Sequence, residues 1–179
     1  MSRRSRRIAF ALIAIASAFA VVTASGAFTS VTAQRTVQVS VAGDASALLG
    51  LSPHTGPNGD GAYAQTSNGE LQIVVDGTNT AGSGVNLNAQ TEIRDVFNVT
   101  NQGTQSVDVW IEKSGNNTDL VTFENATEVR LDNTSAAAQT IGVGETIEVG
   151  IVVDTRGESL SPGSTLLDSI TIHASASAS

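Results

Sequence analysis

Val107-Asp108-Val109-Trp110-Ile111-Glu112-Lys113 alternates apolar and polar side chains. In extended backbone successive side chains leave opposite faces, so Val107, Val109 and Ile111 share one face while Asp108, Trp110 and Glu112 share the other. One face of such a strand must be buried, because a slip of one residue would turn the whole apolar set to water. Upstream, the turn Asn101-Gln102-Gly103-Thr104 joins it to a strand over residues 95–100. Further upstream, residues 63–66 and 70–75 flank Ser67-Asn68-Gly69, a turn of the kind that closes tight hairpins. Downstream, residues 120–124, 129–131, 146–153 and 169–173 read as strands. The cleanest alternation lies nearest the start, where Val31, Ala33, Val37, Val39 and Val41 fall on one face, interrupted by Arg35, with Thr32, Gln34, Thr36, Gln38 and Ser40 on the other.

About nine strands, separated by Gly, Asn, Asp, Ser and Pro, predict an all-β fold: a single antiparallel β-sandwich, jelly-roll or immunoglobulin-like. The predicted organisation is a signal peptide and cleavage region over residues 1–33 and a sandwich domain over residues 34–179. Residues 46–51 read as a short helical turn, ended by Pro53, Gly56 and Pro57. Residues 77–84 read as a loop, and the Ala/Ser tail 174–179 as a fading strand or frayed end.

Arg3, Arg4, Arg6 and Arg7 precede an apolar run over residues 8–22, fifteen residues long. A membrane span takes about 20 apolar residues, so the run fits an export signal, with an uncleaved anchor as the alternative. Cleavage after Ala24-Ser25-Gly26 or after Val31-Thr32-Ala33 are both open, and Ser5-Arg6-Arg7 leaves a twin-arginine route open. Removing the leader leaves Arg35, Arg94, Lys113, Arg130 and Arg156 against 17 acidic residues, a balance of −12. Phosphate backbones would be repelled, which excludes nucleic acid as a partner. There is no cysteine; a secreted domain must then rely on its core, which about 150 residues can supply.

Little in the chain carries chemistry. Nucleophilic catalysis needs a base beside its nucleophile, and the two histidines, His54 and His173, have no Gly-x-Ser-x-Gly elbow to serve. No His-Glu-x-x-His is present, so no zinc hydrolase site is expected, and the chain reads as a non-enzyme without cofactor or metal. Gly82-Ser83-Gly84 and Gly142-Val143-Gly144 lack the partners of phosphate-binding loops and read as turns. Asn58-Gly59-Asp60-Gly61 places oxygens closely on a Gly-rich turn, as a hard cation needs, but lacks the closing glutamate of an EF-hand. Glu92 and Asp95 read as part of a solvated charged face rather than an acid/base pair. Four sequons offer glycan acceptors at Asn98, Asn116, Asn125 and Asn133.

The run Gly26-Ala27-Phe28-Thr29-Ser30-Val31-Thr32-Ala33-Gln34-Arg35-Thr36-Val37-Gln38-Val39-Ser40-Val41, followed by Asp44 and Ala47-Leu48-Leu49-Gly50-Leu51, resembles a haloarchaeal family of exported proteins known as a domain of unknown function. Asp95-Val96-Phe97-Asn98-Val99-Thr100-Asn101, Gly150-Ile151-Val152-Val153-Asp154-Thr155 and Ile170-Thr171-Ile172-His173-Ala174 fit the same pattern. More distantly, the layout is similar to camelysin/TasA-like fibre proteins and archaeal bundling pilins. That resemblance implies an extracellular or cell-surface filament built by donor-strand exchange and a dedicated signal peptidase. Val31, Ala33, Val37, Val39 and Val41 are the donor-strand candidates, and no membrane span is expected after cleavage. The alternative is a monomeric secreted module that binds carbohydrate or calcium through loops near residues 58–63 or 77–84.

Overall fold

In the computed structural model, which describes residues 42–44, 47–75, 82, 84–132, 135 and 138–177, the alternating segments are strands. They are β1 (Leu49–Pro53), β2 (Ala64–Ser67), β3 (Glu70–Ile73), β4 (Gln90–Asn101), β5 (Val107–Ser114), β6 (Val121–Asn125), β7 (Gln139–Ile141), β8 (Thr146–Asp154) and β9 (Ser169–Ala176). They lie within the compact unit Ser40–Ser179. One sheet has the order β1-β4-β8-β6, a second β7-β5-β9, and β2-β3 is a separate hairpin. All ladders are antiparallel.

An immunoglobulin constant-type sandwich runs A-B-E-D in one sheet and C-F-G in the other. Setting aside the hairpin and the short β7, the strands β1, β4, β5, β6, β8 and β9 take positions A to F in chain order. Thus β1-β4-β8-β6 is A-B-E-D and β5-β9 is C-F. Among the described residues no strand stands at position G.

The inner faces meet in a core in which Phe97, Val99, Val109, Ile111, Phe123 and Val149 are fully buried. Burial of each such side chain contributes roughly 1.5–3 kcal/mol. Phe97 and Phe123 add an edge-to-face contact, with centroids 6.4 Å apart at 67°. Val109 and Ile111 point inward and Asp108 and Glu112 outward, as alternation requires. Asn101, 1% exposed, fixes the turn after β4: Nδ2 donates to the carbonyls of Gln105 (2.9 Å) and Ile141 (3.0 Å), and Oδ1 accepts from Gly103 N at 2.9 Å.

β4 is interrupted by a bulge. Ile93 pairs with Ile151 and Phe97 with Val149, so Arg94, Asp95 and Val96 together face Gly150. Asp95 takes a left-handed φ of 54° there. A Cβ on Gly150 would lie 2.9 Å from the Ile93 carbonyl oxygen and 3.2 Å from Arg94 Cα, so the bulge needs glycine opposite it. The loop after β1 satisfies the carbonyls that the bulge frees. Asn58 Nδ2 donates to Arg94 O at 2.9 Å, and His54 N to Val96 O at 3.1 Å.

Three local readings need correction. Residues 49–51, expected in a helical turn, belong to β1, which runs through Pro53; the other described part of 46–51, residues 47–48, is a bend. Helical geometry among the described residues is limited to the 3₁₀ turn Thr118–Leu120 and to the single 3₁₀ residues Asp44 and Ser135. An edge strand tolerates proline because one side of it needs no ladder hydrogen bonds.

Residues 129–131, expected as a strand, form only isolated bridges. Leu131 N donates to Phe123 O at 2.9 Å, and its carbonyl accepts Ile111 N at 2.6 Å, so this segment straps β6 to β5. The hydrogen-bonded path then continues as β1-β4-β8-β6-strap-β5-β9. The tail is ordered further than expected, with β9 extending to Ala176.

The strap also carries a buried ion pair. Lys113 shares the inward parity of Val109 and Ile111, and its Nζ lies 2.6 Å from Asp132 Oδ2, with the two side chains 2% and 4% exposed. The same Nζ donates to the Val121 carbonyl. Two charges taken from water need this degree of pairing, since either one alone would be strongly destabilising.

Candidate functional site

β9 lies on β5 along its whole length, with Ile170 opposite Lys113, Ile172 opposite Ile111, Ala174 opposite Val109 and Ala176 opposite Val107. These four β9 residues share the inward parity of their β5 partners. Burial falls sharply across that one strand. Val109 and Ile111 are 0% exposed, whereas Ile170 and Ile172 are half-buried and Ala174 and Ala176 are exposed. Among the described residues no strand pairs with the far edge of β9. β1, at the other end of the hydrogen-bonded path, shows the same incompleteness, since Leu49, Leu51 and Pro53 are all half-buried. An unpaired edge with apolar side chains beside it can receive an extended segment: backbone groups give affinity and alternate side chains give register.

The donor-strand candidates Val31, Ala33, Val37, Val39 and Val41 lie outside the described residues. The chain enters the described body at the β2–β3 turn, where Asp44 N donates to Gly69 O at 2.8 Å and Asp44 Oδ2 accepts Leu71 N at 2.7 Å.

The outer face of the same sheet is polar and aromatic. Trp110 and His173, cross-strand partners, stack with centroids 4.9 Å apart and planes 5° from parallel. Glu112 Oε2 lies 3.0 Å from His173 Nε2. Asp108 Oδ1 accepts from Thr140 Oγ1 at 2.6 Å and from Ser177 Oγ at 3.0 Å, tying β7 and the residue after β9 to β5. The sequence marks Trp110 as outward but gives no sign that His173 would stack on it, because the register of β9 on β5 comes from topology.

The sequon asparagines have different surroundings. Asn116 is exposed beside the 3₁₀ turn. Asn98 is half-buried on the outer face of β4, its Oδ1 3.2 Å from His54 Nδ1. Asn125 is 9% exposed: its Nδ2 donates to Gln139 Oε1 at 2.7 Å and its Oδ1 accepts from Thr127 N, Thr127 Oγ1 and Val129 N. That amide organises the turn after β6, with its nitrogen engaged by the Gln139 side chain. Asn133 lies outside the described residues.

The candidate cation turn 58–61 acts as a cap on the bulge through Asn58. Gly59 is packed so closely on His54 that no Cβ fits there. Among the described residues no group of three His, Cys, Asp or Glu side chains is arranged for a metal ion.

Glu92 Oε1 holds Arg94 Nε at 2.5 Å, and Glu128 Oε1 holds Arg94 Nη2 at 3.3 Å, which together raise the guanidinium pKa further above its ordinary range. Beside them Glu124 is pushed up by burial first, and then by the Glu92 and Glu128 charges. An open cleft elsewhere is lined by Tyr63, Val75, Gly82, Gly84, Val85, Thr91 and Ile93, bringing together the two loop regions singled out as ligand candidates.

At the end of β8 the exposed Arg156 guanidinium grips Asp154, with Nε 2.8 Å from Oδ1 and Nη2 2.6 Å from Oδ2, and holds its carboxyl at about 2. A carboxyl lowered by folding adds stability above its ordinary value of 3.8, and that contribution disappears as pH falls toward 2. An NMR titration should place the Asp154 midpoint at about 2, and Arg156→Gln should return it toward 3.8. A midpoint unmoved by that substitution would show that the guanidinium is not the cause.

Among the described residues no helix is long and apolar enough to cross a membrane. No curated protein matches the chain. Residues 42–179, which include every strand described above, match the family model "Protein of unknown function (DUF1102)", and the chain belongs to that family.

Proposed function

We propose that the protein is a non-enzymatic structural subunit of the cell surface or extracellular space that assembles by strand donation. The segment carrying Val31, Ala33, Val37, Val39 and Val41 of one copy fills the seventh position beside β9 of the next. The observation that carries this reading is the β9 edge that no described strand pairs, with inward residues half-buried or exposed beside the fully buried Val109 and Ile111 of β5. The 11 residues 31–41 span roughly 36 Å when extended, enough to cover the eight residues of β9, roughly 26 Å long. Their alternate apolar side chains would complete the inner layer beside Ile170 and Ile172.

A head-to-tail contact of this kind does not close on itself, so it yields a filament. Export by the N-terminal leader and cleavage by a dedicated signal peptidase after Ala24-Ser25-Gly26 would free the whole donor segment, whereas cleavage after Ala33 would leave it only Val37, Val39 and Val41. The resemblance to haloarchaeal exported proteins and to camelysin/TasA-like fibres supports this reading, as does the acidic balance suited to concentrated salt. Exposed Asn116 is the acceptor best placed to carry a glycan.

The chain has no cysteine, so a pair can be introduced without competitors. Val39→Cys with Ile172→Cys should give a ladder of covalent multimers on a non-reducing gel. A single intrachain bridge, with monomers only, would mean that the strand completes its own sandwich and would end the assembly reading. Deleting residues 29–35 should leave folded monomers, and fibres persisting in negative-stain images would be equally fatal.

A second reading, a monomeric binding module, is favoured by the cleft that unites Tyr63 with Gly82 and Gly84. Calorimetry with calcium or surface glycans tests it.

A further inference from the structure

We infer that Lys113 and Asp132 form a covalent site, an intramolecular amide between the lysine Nζ and the aspartate Cγ that joins β5 to the strap. Lys113 is the single lysine of the chain. The described arginines, Arg94, Arg130 and Arg156, are exposed, while the one side chain able to act as an amine has a 2% exposed side chain. An ion pair alone would be served as well by arginine, whose planar fork grips a carboxylate at two points. An arginine cannot form the amide.

Nζ and Oδ2 are 2.6 Å apart, and Nζ is also held by the Val121 carbonyl, so the partners are fixed in contact. Holding the two groups in contact makes the encounter intramolecular, and a small rotation that brings Nζ over Cγ would supply an effective concentration of up to about 10⁵–10⁸ M. The site is flanked by the buried Ile111, Val121 and Leu131, which exclude solvent.

The step balances within the pair. The ammonium passes one proton to the carboxylate across the 2.6 Å contact, leaving an amine beside a carboxylic acid. The Nζ lone pair attacks Cγ and the C–N bond forms. A second proton moves from nitrogen to oxygen, the C–O bond breaks, and one water leaves. No oxidant, nucleotide or metal is consumed. Water released from an apolar interior escapes to bulk, so hydrolysis in the reverse direction lacks its reactant at the site.

The test uses the full chain, unfolded and digested with trypsin. An amide-blocked Lys113 is not cut, so residues 95–130 and 131–156 should appear as one joined fragment, lighter than their sum by one water molecule. An amine-reactive label applied in denaturant should find no lysine. Lys113→Arg should abolish the joined fragment. The proposal is overturned if trypsin cuts after Lys113 and that residue takes the label, an outcome read on the unaltered protein whether or not any variant folds.

Discussion

Asp132→Ala is expected to lower stability by about 3–5 kcal/mol, the loss typical of removing one partner from a buried pair. Truncation leaves the Lys113 side chain, 2% exposed, without the carboxylate 2.6 Å away and with only the Val121 carbonyl beside it. It also removes the side-chain tie between the strap and β5, leaving the backbone bond from Ile111 N to Leu131 O to join the two sheets there. The double change Lys113→Met with Asp132→Leu should recover most of the loss where the pair is ionic, because an apolar pair of similar volume pays no desolvation penalty, and little of it where the amide has formed, because the cross-link is then lost as well. Urea unfolding of the three proteins at fixed salt measures this. A single variant as stable as the parent would mean that the site is wetter than its burial indicates.

Gly150→Ala is the second large effect. The new methyl would meet the Ile93 carbonyl oxygen at 2.9 Å and Arg94 Cα at 3.2 Å, both backbone atoms that cannot swing aside. Overpacking of this kind costs about 1–3 kcal/mol. Hydrogen exchange should localise the damage to the β4–β8 ladder around the bulge, with amides of β5 and β9 less affected. Uniform loss of protection would show instead that the ladder unfolds only with the whole body.

Alternation made β5, most of β8 and the β2–β3 hairpin legible, because half-buried antiparallel strands write their burial directly into the sequence. β1 escaped, since Leu49-Gly50-Leu51-Ser52-Pro53 contains the two residues that usually punctuate a chain. Its edge position, which the sequence does not state, is what permits them. The first part of β4 escaped for another reason: three residues leave the ladder at the bulge and break the period.

Lys113 has the parity of an inward residue, yet lysine is almost never buried. Its partner is 19 residues away along the chain, too far for any local pattern to mark. The open edge was invisible for the same reason. That no described strand lies beside β9 can be recognised only once the order of its neighbours is known.

Because the strap hydrogen-bonds β6 on one side and β5 on the other, the two sheets form one continuous hydrogen-bonded ribbon, whose ends among the described residues are β1 and β9. Loss of structure should therefore begin at those ends, and a neighbour's strand laid along β9 would protect one of them. In an assembled thread every interior copy is sealed in this way, and the one copy whose β9 is uncovered is the weakest. Such a thread would shorten from one end under heat or denaturant rather than snap in the middle.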